Sequence, residues 1–155
     1  MLTKQSRLLL ALTVATPLVF AACTDNNILG PGDVAGTYDL TVYANQNFQG
    51  SLQFFVNPGD DNDLPNGGTV IVNSGTLELD SDGSFTETNN FTKTPPGGGS
   101  FNTNFVSIGT FSVSGSSIHL FAPDQNGFSE RNLSGTVTGN TVSYFEGGVE
   151  YEYQR

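Results

Sequence analysis

The chain has 155 residues, enough for one domain, and pairs fifteen acidic with five basic residues for a formal net charge of −10. All fifteen acidic residues follow residue 23, whereas Lys4 and Arg7 precede it, so three basic side chains are left to face them. That surface repels phosphate backbones and anionic headgroups, whose recognition uses clustered Lys and Arg, and nucleic acid is therefore not an expected partner. Twelve Phe and five Tyr, with no Trp and abundant Gly, Ser, Thr and Asn, speak against disorder and for β-structure.

Taken in chain order, Lys4 and Arg7 lead into an apolar run from Leu8 to Phe20, broken only by Thr13, Thr16 and Pro17, and then into Ala21 and Ala22. A basic start, an apolar run and small residues at the end form the layout of a secretory signal over residues 1–22. The run is short for a permanent membrane span, which takes about 20 residues. The residues Phe20-Ala21-Ala22-Cys23 resemble the bacterial lipobox. That resemblance implies cleavage before Cys23, lipidation of its thiol and attachment of the mature protein to a membrane. Cys23 is the single cysteine, so no internal disulfide forms, and lipidation removes a reactive thiol from an oxidising compartment. Three acyl chains hold firmly where one holds only marginally. Thr24 follows the cysteine where an Asp would signal inner-membrane retention, so the resemblance implies the outer membrane of the cell envelope, facing the periplasm or the exterior.

Residues 23–35, with Asn26, Asn27, Gly30, Pro31 and Gly32, have no period and read as the lipidated cysteine plus a flexible tether. From Gly36 onward the chain alternates. Tyr38, Leu40 and Val42 share one face of a first strand, with Thr37, Asp39 and Thr41 on the other. Further strands are predicted at Val70–Asp80, Ser84–Phe91, Thr103–Ser114, Ser117–Ala122, Asn132–Thr138, Thr141–Glu146 and Val149–Gln154, and no helical period follows the tether. Ser51–Val56 reads as a ninth strand, a strap across a barrel mouth or part of an insertion. Asp82-Gly83, Gly115-Ser116, Gly139-Asn140 and Gly147-Gly148 supply hairpin turns. Asn57–Gly68 and Lys93–Ser100, rich in Pro and Gly, are predicted to be exposed loops.

These elements predict an all-β domain over residues 36–155, an antiparallel up-and-down meander of about eight strands closed into a barrel. A two-sheet β-sandwich satisfies the same alternation. A transmembrane barrel alternates similarly, but such barrels usually end on an aromatic residue and this chain ends on Arg155.

Gly36-Thr37-Tyr38 at the start of the first strand resembles the Gly-x-Trp opening of lipocalins, with Tyr in the place of Trp. The chain ends in Tyr153-Gln154-Arg155, and the resemblance implies that Arg155 packs across Tyr38, a contact worth about 0.5–2 kcal/mol. Together with Ser74–Leu79 running into Asp82-Gly83-Ser84-Phe85, this layout resembles small lipocalin-like bacterial lipoproteins over most of residues 36–155. Gly36, Tyr38 and Arg155 are thus the fold signature.

Candidate sites are few. His119, the single histidine, has no Gly-x-Ser-x-Gly nucleophile motif beside it and reads as an ordinary strand residue. Asp60, Asp61 and Asp63 crowd one loop as candidate calcium ligands, yet lack the Gly and distal Glu of an EF-hand and read equally as a solvated tip. Asp80 and Asp82 belong to the turn completed by Gly83. Glu150 and Glu152 invite a two-carboxylate glycosidase reading, but alternation already explains them as a solvent face. The aromatic set Tyr38, Phe85, Phe105, Phe111, Tyr151 and Tyr153 either lines a ligand cavity or fills the core.

The sequence therefore predicts no enzyme, no cofactor and no metal. It predicts a membrane-anchored barrel that binds or carries a small apolar ligand, with a structural or protein-interaction lipoprotein of filled barrel as the alternative. Gly109, Gly135 and Ser143 at inward positions would leave room for a cavity.

Overall fold

A computed structural model describes residues 29–124 and 129–155. Residues 1–22, read from the sequence as a secretory signal, together with Cys23, Thr24 and the first part of the expected tether, lie outside the described residues. Ten strands follow a single helical turn: α1 (Pro31–Val34), β1 (Gly36–Tyr43), β2 (Gln46–Asn47), β3 (Leu52–Val56), β4 (Gly68–Leu79), β5 (Ser84–Thr94), β6 (Phe101–Ser114), β7 (Ser117–Ala122), β8 (Arg131–Thr138), β9 (Thr141–Glu146) and β10 (Val149–Gln154).

Every pairing is antiparallel between chain neighbours from β4 to β10, and β1 joins β10 on one side and β4 on the other. Eight strands thus close into an up-and-down barrel, and the two-sheet sandwich is ruled out by that closure. Inward residues are mainly apolar, apart from a cluster that includes Glu87, Asn89 and Arg131, and outward ones are mainly Thr, Asn, Ser and acids, as in the Thr37–Asp39 and Asp39–Thr41 steps around buried Tyr38 and Leu40. This is the reverse of the partition a membrane-spanning barrel requires.

The barrel has unequal halves. Gly36–Asp39 pairs with Thr76–Leu79, but above that level β1 and β4 part. β1 there takes the short β2 as its neighbour, and β4 takes β3. The register slips in β1 between Leu40 and Val42 and in β4 between Val72 and Ser74, both at the parting point. A bulge adds one unpaired residue and bends its strand, so the two strands splay and the mouth widens. Ser51–Val56 is accordingly an added strand of the rim, β3, outside the eight of the closed barrel.

The narrow half is solid. Tyr38, Leu40, Leu77, Leu79, Phe85, Phe111, Ile118, Leu120, Val137 and Val142 are all buried there. Beneath them α1 closes the end. Pro31 opens the turn, the Asp33 carboxylate accepts from the Gly30 amide at 2.8 Å, and Val34 is buried. The Tyr38 hydroxyl donates to the Val34 carbonyl at 2.6 Å. The segment expected as a tether therefore ends in an ordered plug. Arg155 lies on the same end: its Nη1 donates to the Ala35 carbonyl at 2.7 Å, and its guanidinium carbon sits 5.3 Å from the Tyr38 ring centre.

Several boundaries extend beyond the sequence reading. β5 continues through Lys93 to Thr94, so Lys93 is a strand residue rather than the first of a loop. The loop before β4 is stitched down by Leu64, which is 0 % exposed, and by successive turns such as Leu64 N to Asp61 O and Gly67 N to Leu64 O.

The inward glycines leave no space. A Cβ at Gly109 would meet the Phe121 carbonyl, one at Gly135 the Ser143 carbonyl, and one at Gly75 the Asn89 side chain. These positions let adjacent strands turn barrel corners at close range. Ser143 faces outward, where its hydroxyl pairs with that of Thr136 at 3.0 Å. The expectation that Gly109, Gly135 and Ser143 open a cavity is thus corrected: the room comes from splaying of β1 and β4.

Candidate functional site: a polar-floored cup

β5, β6, β8, β9 and β10 bring their mouth-end residues into the wide half of the barrel. A cavity of about 440 Å³ opens there, with Asn89, Phe91 and Lys93 from β5, Phe105 from β6, and Arg131, Glu146 and Tyr151 from the remaining strands on its walls. A second cavity of about 220 Å³, between Tyr43, Phe54, Val56 and Val70, shares Phe91 and Lys93 with the first. The larger volume falls in the range of small-molecule sites.

The floor is a buried polar cluster around Glu87, which is 1 % exposed. Its Oε1 accepts from the hydroxyls of Tyr144 and Tyr153, each at 2.7 Å, and from the Asn89 amide at 2.8 Å. Its Oε2 accepts from Arg131 Nη1 at 2.7 Å. Arg131 turns its other edge to Glu146, with Nε and Nη2 each 2.7 Å from a carboxylate oxygen. The guanidinium also lies 4.8 Å from the Phe105 ring centre. Among the described residues no buried side-chain polar atom lacks a partner, which is the condition under which charges can be kept inside a barrel.

The electrostatics follow from this packing. Burial first, and the Glu87 charge second, push the Tyr144 and Tyr153 phenols well above the ordinary phenol range. Burial works against the Arg131 charge, but its bonds to Glu146 and the charge of Glu87 outweigh that and hold it above the usual arginine range. Tyr151 is raised by burial and then by Tyr43. A column of rings climbs from floor to rim: Tyr153 and Tyr144 stack at 6.1 Å, Tyr144 and Tyr151 at 5.1 Å, and Tyr43 meets Tyr151 edge-on at 5.1 Å and Phe54 at 5.3 Å.

At the rim Lys93 Nζ lies 2.8 Å from both Asp61 and Asp63. Burial disfavours the charge on Lys93, the two carboxylates more than offset this, and Asp61 is in turn held below the usual carboxylate range despite its own partial burial. An ammonium thus occupies the place a cation would take in the acidic loop. Asp60 instead accepts from the Asn57 amide at 3.1 Å, and among the described residues no group of three His, Cys, Asp or Glu is arranged to hold a metal.

The aromatic set divides. Phe105 and Tyr151 line the cavity, Tyr153 contributes its hydroxyl to the floor, and Tyr38, Phe85 and Phe111 fill the solid half. His119 is exposed, bonded to Asn132 at 2.6 Å. Glu152 accepts from Thr41 at 3.1 Å on the outer wall, the face it shares with Glu150 and away from the cup. Sequence reasoning missed Glu87, Asn89, Lys93, Arg131 and Glu146. The signal was present in the alternation of β5, where positions 85, 87, 89, 91 and 93 share the inward face and three of them are polar.

Comparison with protein-family models, with curated proteins and with solved structures finds no match for the chain.

Proposed function

We propose that the chain is a non-catalytic lipoprotein of the bacterial cell envelope, anchored through lipidated Cys23, whose lipocalin-like barrel binds or carries a small molecule in its open half. The observation that carries this reading is the cup of about 440 Å³ with aromatic side chains on its walls and a fully bonded polar floor. A ligand of mixed character suits it, with an apolar body against Phe91, Phe105 and Tyr151 and a polar head toward Arg131 and Glu146. The ligand is thus less purely apolar than the sequence alone suggests. The outer-membrane address rests on the lipobox resemblance and on Thr24.

All three basic side chains beyond residue 23 are engaged internally, Lys93 and Arg131 in ion pairs and Arg155 on Ala35 and Tyr38. This supports attachment to the membrane by acyl chains rather than by surface charge, and it speaks against nucleic acid. Native mass spectrometry of the chain released from its own envelope tests both halves of the reading. The expected spectrum has an N-terminus at an acylated Cys23 and a small-molecule adduct lost on unfolding. An unacylated chain overturns the anchor, and a bare mass under conditions that keep a control lipocalin loaded overturns carriage in favour of a structural or interaction role.

A further inference from the structure

We propose that the cup selects a small organic cation, an ammonium group on an apolar or aromatic body, over the matched anion. This rests on the reading of the cup as a ligand site and adds the charge of the ligand.

The cup contains two cations, and each is already gripped by two carboxylates: Lys93 by Asp61 and Asp63, Arg131 by Glu87 and Glu146. Each triad therefore keeps one negative charge in excess. Glu130, on the lining and outside both triads, adds another. Exposure points the same way. The cationic side chains are only 12 % and 9 % exposed, for Lys93 and Arg131, whereas Asp63 is 53 % and Glu146 33 % exposed. What a ligand meets from the mouth is carboxylate, with the cations behind.

An anionic head reaching for Arg131 would have to displace Glu146 from a two-point bond and leave that carboxylate beside it, in surroundings where like charges repel strongly. An ammonium needs no such rearrangement. It adds to the carboxylates of Glu146 and Asp63 without displacing Arg131 or Lys93, and the aromatic side chains of Phe91 and Tyr151 receive its apolar body in a cavity where one cation, Arg131, already lies over a ring, that of Phe105.

Three probes of one shape test the charge alone: 3-phenylpropylammonium, 3-phenylpropanol and 3-phenylpropanoate, titrated calorimetrically into the purified chain at about 0.15 M salt. At that ionic strength charges more than about 8 Å away are screened, so the overall acidity of the molecule contributes little. The expected order is ammonium, then alcohol, then carboxylate, with about a tenfold or larger preference for the ammonium over the carboxylate. Glu130→Gln, a change at an exposed residue outside the floor, narrows that preference about two- to fivefold. Equal affinities for all three probes overturn charge selection and leave the cup as a ligand site. A carboxylate that binds as well as the ammonium, or a preference that Glu130→Gln leaves untouched, overturns the assignment to this site. Failure of all three to bind overturns the cup reading along with it.

Discussion

Glu87 concentrates the cost and the purpose of the interior in one side chain. A carboxylate inside a barrel is tolerated because four donors meet it: two phenols, an amide and a guanidinium, all within 2.8 Å. Removing it leaves Arg131 with one carboxylate partner, takes the acceptor from the Tyr144 hydroxyl and leaves Tyr153 only its longer bond to Asn89 at 3.2 Å, so Glu87→Ala is expected to destabilise the chain by about 3–5 kcal/mol in denaturant unfolding. A loss below about 1 kcal/mol would mean that the cluster is solvated in solution. The same packing fixes an alkaline limit. Tyr144 and Tyr153 ionise well above their ordinary value of 10.0 when folded, whereas in the unfolded chain they ionise near it. Their contribution to stability is therefore complete below about pH 10 and is lost as pH rises from there toward the raised values. Phenolate absorbance during a pH titration should show both tyrosines appearing together with unfolding. Early, independent titration would contradict their burial.

At the scale of elements, β2 and β3 take up the strand edges that β1 and β4 leave where they part. The β1–β2 turn places Ala44 at φ 52° and Asn45 at φ 61°, a two-residue hairpin in which a non-glycine residue with a Cβ pays a left-handed penalty. Ala44→Asn, which suits that region better, should raise stability by about 0.5–1 kcal/mol, measured as a higher denaturation midpoint. Gly109→Ala should do the reverse by about 1–3 kcal/mol, because its Cβ meets the Phe121 carbonyl across the β6–β7 pairing. The strands themselves were legible in the sequence, since Tyr38-Leu40 or Val149-Tyr151-Tyr153 shows the two-residue period directly. Turn chemistry at Gly83, Gly115, Gly139 and Gly147, all with positive φ, was equally readable. Closure into a barrel was expected from the number of strands in the meander and from the lipocalin resemblance, and the alternation alone did not decide it, because a sandwich buries the same alternate residues. The two bulges were hidden for a related reason: a one-residue slip leaves no local trace until the partner strand is known, whereas β3 falls within Ser51–Val56, where a strand was one of three readings. The cup was legible only as aromatic residues. Its charged half was missed because Glu87 and Asn89 break the apolar rule of the inward face, and only the positions of Arg131, Tyr144 and Tyr153 across the barrel explain why.

For the whole molecule, the division into a packed half and an open half is the property on which the proposed function rests. The packed half, plugged by α1 and clasped by Arg155 on Tyr38, supplies rigidity. The open half holds space, rings and charge, with its rim loop pinned by Lys93 and by buried Leu64. Leu64→Ala should cost about 2–5 kcal/mol if that loop is part of the cooperative fold, and limited proteolysis of the variant should cut within residues 57–67, which stay intact in the parent. The chain contains no tryptophan, so one introduced at Phe91, which lines both cavities, reports on the cup alone. The most direct measurement is the fluorescence of Phe91→Trp during titration with a small-molecule extract of the native envelope, beside Phe145→Trp on the outer wall, where the native side chain is 60 % exposed. A saturable spectral shift at position 91 with none at 145 is the predicted result. No shift at either position, or equal shifts at both, would contradict a ligand-binding cup.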